Sequence, residues 1–272
     1  MYHELRKRGT STGGKAPMRV AVVIPALNEE ACIGDVVRRI PRDAADRIIV
    51  ADGGSKDLTA LRAREAGAEV IAAGKGYGRA CLNGAVAADD CDILVFMDGD
   101  GADDVQAIRA IVGPIRSGEQ DFVIGSRTRG KRAPGSMAWH QLAAARFAGL
   151  GIQLLYGVQF TDMCALRGIR RDTLMALGMC ELSYGWNLEM QMRAAANRLR
   201  ILEIPVDYFC RRGGSSKVAG SLVGTARAGT RIMLTFLRVA AKTKRRSRAS
   251  REQVDATPDA ESSVRQPCTG PQ

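Results

Sequence analysis

The sequence predicts an α/β fold in which a mostly parallel sheet has helices on both faces. Short aliphatic runs without polar alternation recur along residues 19–125, as expected of strands buried on both sides. Segments with helical spacing of apolar residues lie between these runs, and such alternation is typical of parallel sheets. A polar or glycine-rich segment follows every run, at the sheet edge where such folds bind their ligands.

The elements follow in order from these patterns. The first run ends at Pro25, and Asn28 is expected to cap the next helix, with Glu29 in its first turn. No strand or helix is predicted for residues 161–185. The predicted strands are 19–24, 47–51, 69–72, 93–97, 122–125 and 200–209, and the main helices are 31–40, 58–65, 79–88, 105–115, 138–156 and 186–199.

Composition limits the class of protein. The net charge of +11 predicts an anionic partner, whereas only 5% aromatic residues argue against stacking on single-stranded nucleic acid. Seven scattered cysteines without a Cys-x-x-Cys pair indicate reduced thiols in a cytoplasmic protein. With only two histidines, a zinc site or a Ser-His-Asp triad is not expected. No secretory signal or membrane span is predicted.

The fourth strand runs directly into Asp98-Gly99-Asp100. On an extended backbone, residues two apart project to the same side, so these carboxylates would repel each other unless a cation lies between them. Hard divalent ions take oxygen ligands. A lone Asp-x-Asp is more often a simple turn after a strand, so the metal interpretation depends on the other motifs.

Six segments of the sequence form an ordered set of motifs: Val22–Glu30, Asp52–Thr59, Lys75–Gly78, Asp98–Asp100, Gly125–Arg127 and Arg212–Lys217. In order and spacing they resemble a family 2 glycosyltransferase with a GT-A fold, nearest to the dolichyl-phosphate mannosyltransferase-like (polyprenyl-phosphate glycosyltransferase) branch. The resemblance covers residues 19–218. In two departures from the family pattern, Gly53 replaces a second Asp and Ala102 replaces a Gln that helps to hold the metal.

The resemblance implies a nucleoside-diphosphate sugar donor of the GDP-mannose or UDP-glucose type, and Mg²⁺ or Mn²⁺ held by Asp98 and Asp100. Carboxylates can accept hydrogen bonds from the base or ribose, and glycine N–H groups can approach phosphate. Three of these binding roles have structural alternatives. Glu29 could only stabilise the start of a helix, residues 74–78 could form a simple turn, and residues 211–217 could be a solvated basic loop. The substrate-binding candidates are Pro25, Asn28, Glu29, Asp52, Lys75, Gly76, Asp98, Arg127, Arg212 and Lys217.

Asp162 and Arg127 are the candidate catalytic residues. Arg127 could bind the phosphate of a lipid-phosphate acceptor, which is already anionic and needs no general base. If the acceptor is a hydroxyl, a carboxylate must take its proton, and Asp162 is the best candidate. Asp162 could instead be a buried structural residue paired with Arg167.

The predicted function is metal-dependent, inverting transfer of a hexose to a polyprenyl phosphate or related acceptor. The predicted location is cytoplasmic. Peripheral attachment to the inner face of an anionic membrane could occur through the predicted helix at residues 138–156, the helix at residues 221–241 and the basic tail. The alternative is that these helices are ordinary core helices. A sugar nucleotidyltransferase and a nucleic-acid-binding protein are the alternatives, although neither has a matching motif. The predicted organisation is a disordered segment 1–18, a catalytic domain 19–218, an amphipathic helix 219–241 and a basic, disordered tail 242–272.

Overall fold

The computed structural model describes residues 17–212, 230, 233–241 and 243. In this part of the chain seven strands form one sheet, in the order β3-β2-β1-β4-β6-β5-β7. Four of the six strand pairs are parallel, and β6 runs antiparallel to β4 and β5. The predicted mostly parallel sheet is therefore confirmed. The strands are β1 Val20–Ala26, β2 Arg47–Asp52, β3 Glu69–Ala72, β4 Ile93–Phe96, β5 Phe122–Ser126, β6 Arg167–Arg170 and β7 Ile201–Pro205.

The six main helices that the sequence predicts are present, with shifts of a few residues at their ends. β4 is buried along its whole length, as expected of a strand covered on both faces. A 3₁₀ turn, Val105–Ala107, precedes the fourth helix. The helices are α1 Ile33–Arg39, α2 Thr59–Glu65, α3 Tyr77–Ala87, α4 Ile108–Arg116, α5 Trp139–Tyr156, α6 Arg171–Leu177 and α7 Trp186–Ala196.

Two expectations about the first loop were wrong. β1 continues through Pro25, because β4 ends opposite Val23 and requires no N–H from Pro25. Asn28 does not cap α1, whose N-cap is Cys32. Asn28 instead has a left-handed backbone (φ 50°), and its side-chain oxygen accepts a hydrogen bond from the Lys56 N–H (2.8 Å). Asn28 therefore joins the first loop to the second.

β6 and α6 were not predicted. β6 carries arginine at both ends and only one large apolar residue, Ile169, so its sequence does not resemble a buried strand. The structure nevertheless inserts it between β4 and β5, where a Cβ on Gly168 would lie 2.5 Å from the Ile111 side chain of α4. Close packing against α4 thus explains this glycine.

Residues 233–241 are helical and lie within the predicted helix 219–241. Segments 1–16, 213–229 and 244–272, which include Lys217 and most of the predicted tails, lie outside the described residues. The domain boundaries at 18, 218 and 241 remain predictions. In the described part of the chain, no helix has both the length and the apolar character needed to cross a membrane.

Candidate active site

The loops after the first four strands lie together at the carboxyl edge of the sheet. The Gly53 N–H, after β2, donates to the Ala26 carbonyl at the end of β1 (2.8 Å). The Ala73 N–H, after β3, donates to the Asp52 carbonyl (2.8 Å). After β4, a Cβ on Gly99 would lie 3.9 Å from the Ala26 Cβ. The predicted gathering of these four loops at one edge is confirmed.

The candidate donor-binding residues of the first two loops are held by hydrogen bonds between them. The Asn28 N–H donates to Ser55 Oγ (2.9 Å), and the Ser55 N–H donates to Asp52 Oδ1 (3.0 Å). The Glu29 N–H donates to Thr59 Oγ1 (2.8 Å). Glu29 and Asp52 are half-buried at this edge. Their carboxylates therefore lie at the sheet edge on loops that hydrogen bonds have already ordered.

The glycine-rich loop is shaped by close backbone contact. Gly76 has φ 125°, and a Cβ there would collide with the Leu182 carbonyl; a Cβ on Gly78 would collide with the Glu181 carbonyl. Lys75, beside them, is exposed. Packing against residues 181–182 therefore accounts for both glycines, and a phosphate contact by this loop remains a prediction.

Three carboxylates cluster after β4. The Asp98 N–H donates to Asp103 Oδ2 (2.9 Å), and Asp100 Oδ1 accepts from the Ala102 N–H (2.9 Å). Asp100 and Asp103 are buried, whereas Asp98 is half-buried. Sequence reasoning missed Asp103, although its position three residues after Asp100 is a usable signal.

The electrostatics of this cluster favour a cation. Burial, followed by repulsion from Asp100, raises the pKa of Asp98 to about 6. Burial, followed by repulsion from Asp98, raises the pKa of Asp103 to about 8. The positive charges of Arg211 and Arg127 act against the rise at Asp98 without cancelling it. The site thus concentrates negative charge that a bound cation would neutralise.

Two arginines at the start of the basic segment 211–217 contact this acidic cluster. Arg211 Nε lies 2.9 Å from Asp100 Oδ2, a contact that sequence reasoning missed although Arg211 directly precedes the matched motif. The Arg212 N–H donates to the Asp100 carbonyl (3.3 Å), and its guanidinium pairs with Asp35 of α1 (2.6 Å). The start of the loop therefore lies at the site, whereas its predicted phosphate ligand, Lys217, is outside the described residues.

In the described residues, no group of three or more His, Cys, Asp or Glu side chains is arranged to hold a metal ion. Asp98 and Asp100 would therefore supply only part of a coordination shell. Divalent ions that take six or more oxygen ligands, such as Mg²⁺, commonly complete that shell with substrate phosphates and water. The arrangement fits an ion that binds together with a diphosphate.

Asp162 pairs with Arg127 and not with Arg167, the alternative partner that the sequence left open. Arg127 Nε and Nη2 donate to the two carboxylate oxygens of Asp162 (2.7 and 2.8 Å), and the Arg127 guanidinium lies 4.9 Å from the centre of the Tyr208 ring. Arg167 is on β6, where its buried guanidinium donates to the Asn187 carbonyl (3.0 Å). The antiparallel insertion of β6 directs Arg167 to backbone carbonyls and leaves Asp162 to the loop after β5.

Glu203 of β7 fixes the turn that carries Asp162. Its Oε1 accepts from the N–H groups of Thr161 (2.9 Å) and Asp162 (3.2 Å), and its Oε2 accepts from Thr161 Oγ1 (2.7 Å). Sequence reasoning missed this residue. The available signal is a charged residue between aliphatic neighbours in a predicted strand.

The sheet order, the acidic cluster at the end of its central strand and the surrounding loops define a GT-A glycosyltransferase. The chain belongs to glycosyl transferase family 2, whose family model matches residues 21–178. It is 35% identical over 209 residues to an uncharacterised glycosyltransferase of Mycobacterium tuberculosis, covering 76% of this chain and 92% of the relative.

Two similar proteins have named activities. The chain is 31% identical over 228 residues to the undecaprenyl-phosphate mannosyltransferase of Micrococcus luteus, covering 77% of this chain and 91% of that protein. A crystal structure of M. tuberculosis glucosyl-3-phosphoglycerate synthase with Mn²⁺, UDP-glucose and phosphoglyceric acid is similar with a TM-score of 0.67 at 25% identity, covering 83% of this chain and 81% of that one. Membership of the family favours glycosyl transfer over the nucleotidyl transfer that the sequence left open.

Proposed function

We propose that the protein is an inverting hexosyltransferase that transfers a hexose from a GDP- or UDP-sugar to a polyprenyl phosphate, with Mg²⁺ or Mn²⁺. The observation that carries the proposal is the buried carboxylate cluster, with its raised pKa values, among the loops that hold Asn28, Glu29 and Asp52. An oxygen of the acceptor phosphate bonds to the anomeric carbon as the bond from that carbon to the donor diphosphate breaks. Attack opposite the leaving diphosphate inverts the configuration.

On the donor side, Asp98 and Asp100 would hold the divalent ion, which supplies positive charge to the departing diphosphate. Glu29 and Asp52 accept hydrogen bonds from the base or ribose, beside Pro25 of β1. Arg211 pairs with the Asp100 carboxylate, the Arg212 N–H donates to the Asp100 carbonyl, and the matched sequence segment runs on to Lys217. These basic side chains provide further charge for the diphosphate.

On the acceptor side, the geometry favours a phosphate over a neutral hydroxyl. Both carboxylate oxygens of Asp162 accept hydrogen bonds from Arg127, and Asp162 is 1% exposed. To act as a general base, Asp162 would have to release this ion pair. A phosphate acceptor needs no proton transfer, and the Micrococcus relative is named for an undecaprenyl-phosphate acceptor.

A hydroxyl acceptor is the second candidate, because the similar synthase structure contains phosphoglyceric acid. In that case Asp162 remains the candidate base. Transfer to a polyprenyl phosphate and transfer to small phosphorylated alcohols can be compared with the same donor, and the two candidates predict opposite preferences.

The test is hexose transfer from GDP-mannose and UDP-glucose, with and without Mn²⁺. We expect Asp98→Asn and Asp100→Asn each to lower the rate about 100-fold or more, because each removes charge from the ion site. Asp89→Asn, an exposed Asp in the turn after α3, is the matched control and should retain the wild-type rate. Wild-type rates in both site variants would refute the metal-site proposal.

A further inference from the structure

A stripe of exposed apolar side chains runs along α5. Trp139, Phe147, Leu150 and Leu154 are 80%, 75%, 51% and 79% exposed. Their spacing of eight, three and four residues places them on one side of the helix. The opposite side packs on the core through Ala148 and Ile152, among others. α5 therefore buries one face and presents the other, which is apolar, at the surface.

The C-terminal helical segment 233–241 extends this surface. A Cβ on Gly151 of α5 would lie 2.6 Å from the Phe236 ring, so the two helices are in close contact. Met233, Leu234 and Leu237, which flank Phe236, are 59%, 54% and 57% exposed. Together, these exposed apolar residues form a surface that we call the apolar platform: Trp139, Phe147, Leu150, Leu154, Met233, Leu234 and Leu237.

Two polar contacts, one of them buried, hold the second helix in this position. Thr235 Oγ1 donates to the buried Glu181 carboxylate (3.0 Å), and Tyr156 of α5 hydrogen-bonds Thr243 (2.6 Å). Val239 is also buried, on the same side as Thr235. The second helix is therefore docked on the protein, and Met233, Leu234 and Leu237 lie on its outer face.

The charge of the surrounding sequence indicates what covers the platform. Residues 127–161 and 208–251 contain 17 Lys and Arg and no Asp or Glu. The rest of the chain has 23 basic and 29 acidic residues, so all the excess positive charge lies in the two segments that carry the platform. A second copy on the same face would bring like charges together, whereas an anionic lipid surface would attract both segments.

We propose that the apolar platform docks on the anionic leaflet of a lipid bilayer, with α5 and segment 233–241 lying in the interface. An amphipathic helix binds such a surface through buried apolar area together with attraction of its basic flanks to anionic lipids. The inference rests on the proposed function in one respect: the membrane surface is where the enzyme would bind a polyprenyl phosphate acceptor.

The test is co-flotation of the full chain with vesicles. Phe147→Asp combined with Leu154→Asp places two negative charges on the platform, and both positions are exposed enough to tolerate the change. Leu61→Asp combined with Val86→Asp makes the same change at exposed apolar sites outside it (48% and 55%). For vesicles of phosphatidylcholine with phosphatidylglycerol, we expect the platform variant to bind about tenfold or more weakly than the wild type and the control.

Three results would overturn the proposal: no wild-type binding to anionic vesicles, equal binding of both double variants, or equal binding to pure phosphatidylcholine. A wild-type dimer that only the platform variant loses, without vesicle binding, would assign the face to a second copy. Hexose transfer to a short-chain, water-soluble polyprenyl phosphate tests the proposed function without a membrane. The platform variant should keep this activity even though it binds vesicles weakly.

Discussion

Arg127 and Asp162, 35 residues apart in the chain, form a bidentate ion pair between the loops that follow β5 and precede β6. The Arg127 backbone N–H donates to the same carboxylate (2.9 Å). Burial lowers the pKa of Arg127, but the hydrogen bonds to Asp162, together with attraction to the Asp162 charge and to other nearby groups, outweigh it and hold that pKa well above its usual value. The pair therefore joins both candidate catalytic residues into one structural unit.

Removing either partner should be costly, because the other charge would stay buried without compensation. We expect Asp162→Asn and Arg127→Met each to lower the free energy of unfolding by about 3 kcal/mol, and the double variant to lose less than the sum. Urea unfolding of the four proteins measures this coupling. Arg200 and Asp121 provide an exposed bidentate pair as the control, where the losses should be far smaller. Additive losses at Arg127 and Asp162 would contradict the prediction.

The pH dependence of stability should report the acidic cluster. Because the pKa of Asp103 is raised from 3.8 to about 8, the folded protein retains a proton that the unfolded chain has lost, and this contribution to stability falls as the pH rises from about 4 to 8. Without divalent ions, we expect Asp103→Asn to lose less stability than the wild type between pH 5 and 8, by about 1 kcal/mol or more. Urea unfolding at both pH values checks this, and equal losses in the two proteins would refute it.

Gly76 should not tolerate a side chain. Gly76→Ala must strain a backbone at φ 125° and also displace the Leu182 carbonyl, so we expect a loss of about 2–4 kcal/mol in the free energy of unfolding. Gly157→Ala is the matched control, since Gly157 also has a positive φ (73°) but its Cβ would meet nothing within 4 Å; it should lose about 1 kcal/mol. Similar losses at the two sites would show that the contact with Leu182 has little effect.

Glu181 should hold the C-terminal helix in place. Its carboxylate is 2% exposed and accepts hydrogen bonds from the Ser183 N–H (3.0 Å) and Thr235 Oγ1 (3.0 Å). We expect Glu181→Gln to weaken these contacts by about 1–3 kcal/mol and to raise amide exchange in residues 233–241 about tenfold. Glu65→Gln, at an exposed position on α2, is the control. Unchanged exchange in that segment would contradict this role.

Local patterns in the sequence predicted much of the fold. Aliphatic runs and helical spacing identified β1 to β5, the helices between them and α7, because these elements bury continuous apolar faces that leave a clear signature. β6 failed this criterion: its arginines donate to backbone carbonyls of distant segments, which only the folded chain brings within reach. The strand β7 was found, but its Glu203 was not recognised as a hydrogen-bond acceptor for the Thr161–Asp162 turn.

The parallel sheet, the family resemblance and the position of Asp98 and Asp100 at the end of a strand could all be predicted from local sequence patterns. Neighbours along the chain remain neighbours in any fold, so such motifs can be read directly. Only the folded chain reveals that Asp162 pairs with Arg127, that Arg211 lies against Asp100, and that α5 has an exposed apolar side. These outcomes depend on which distant segments the strand order brings together, and no local pattern contains that information.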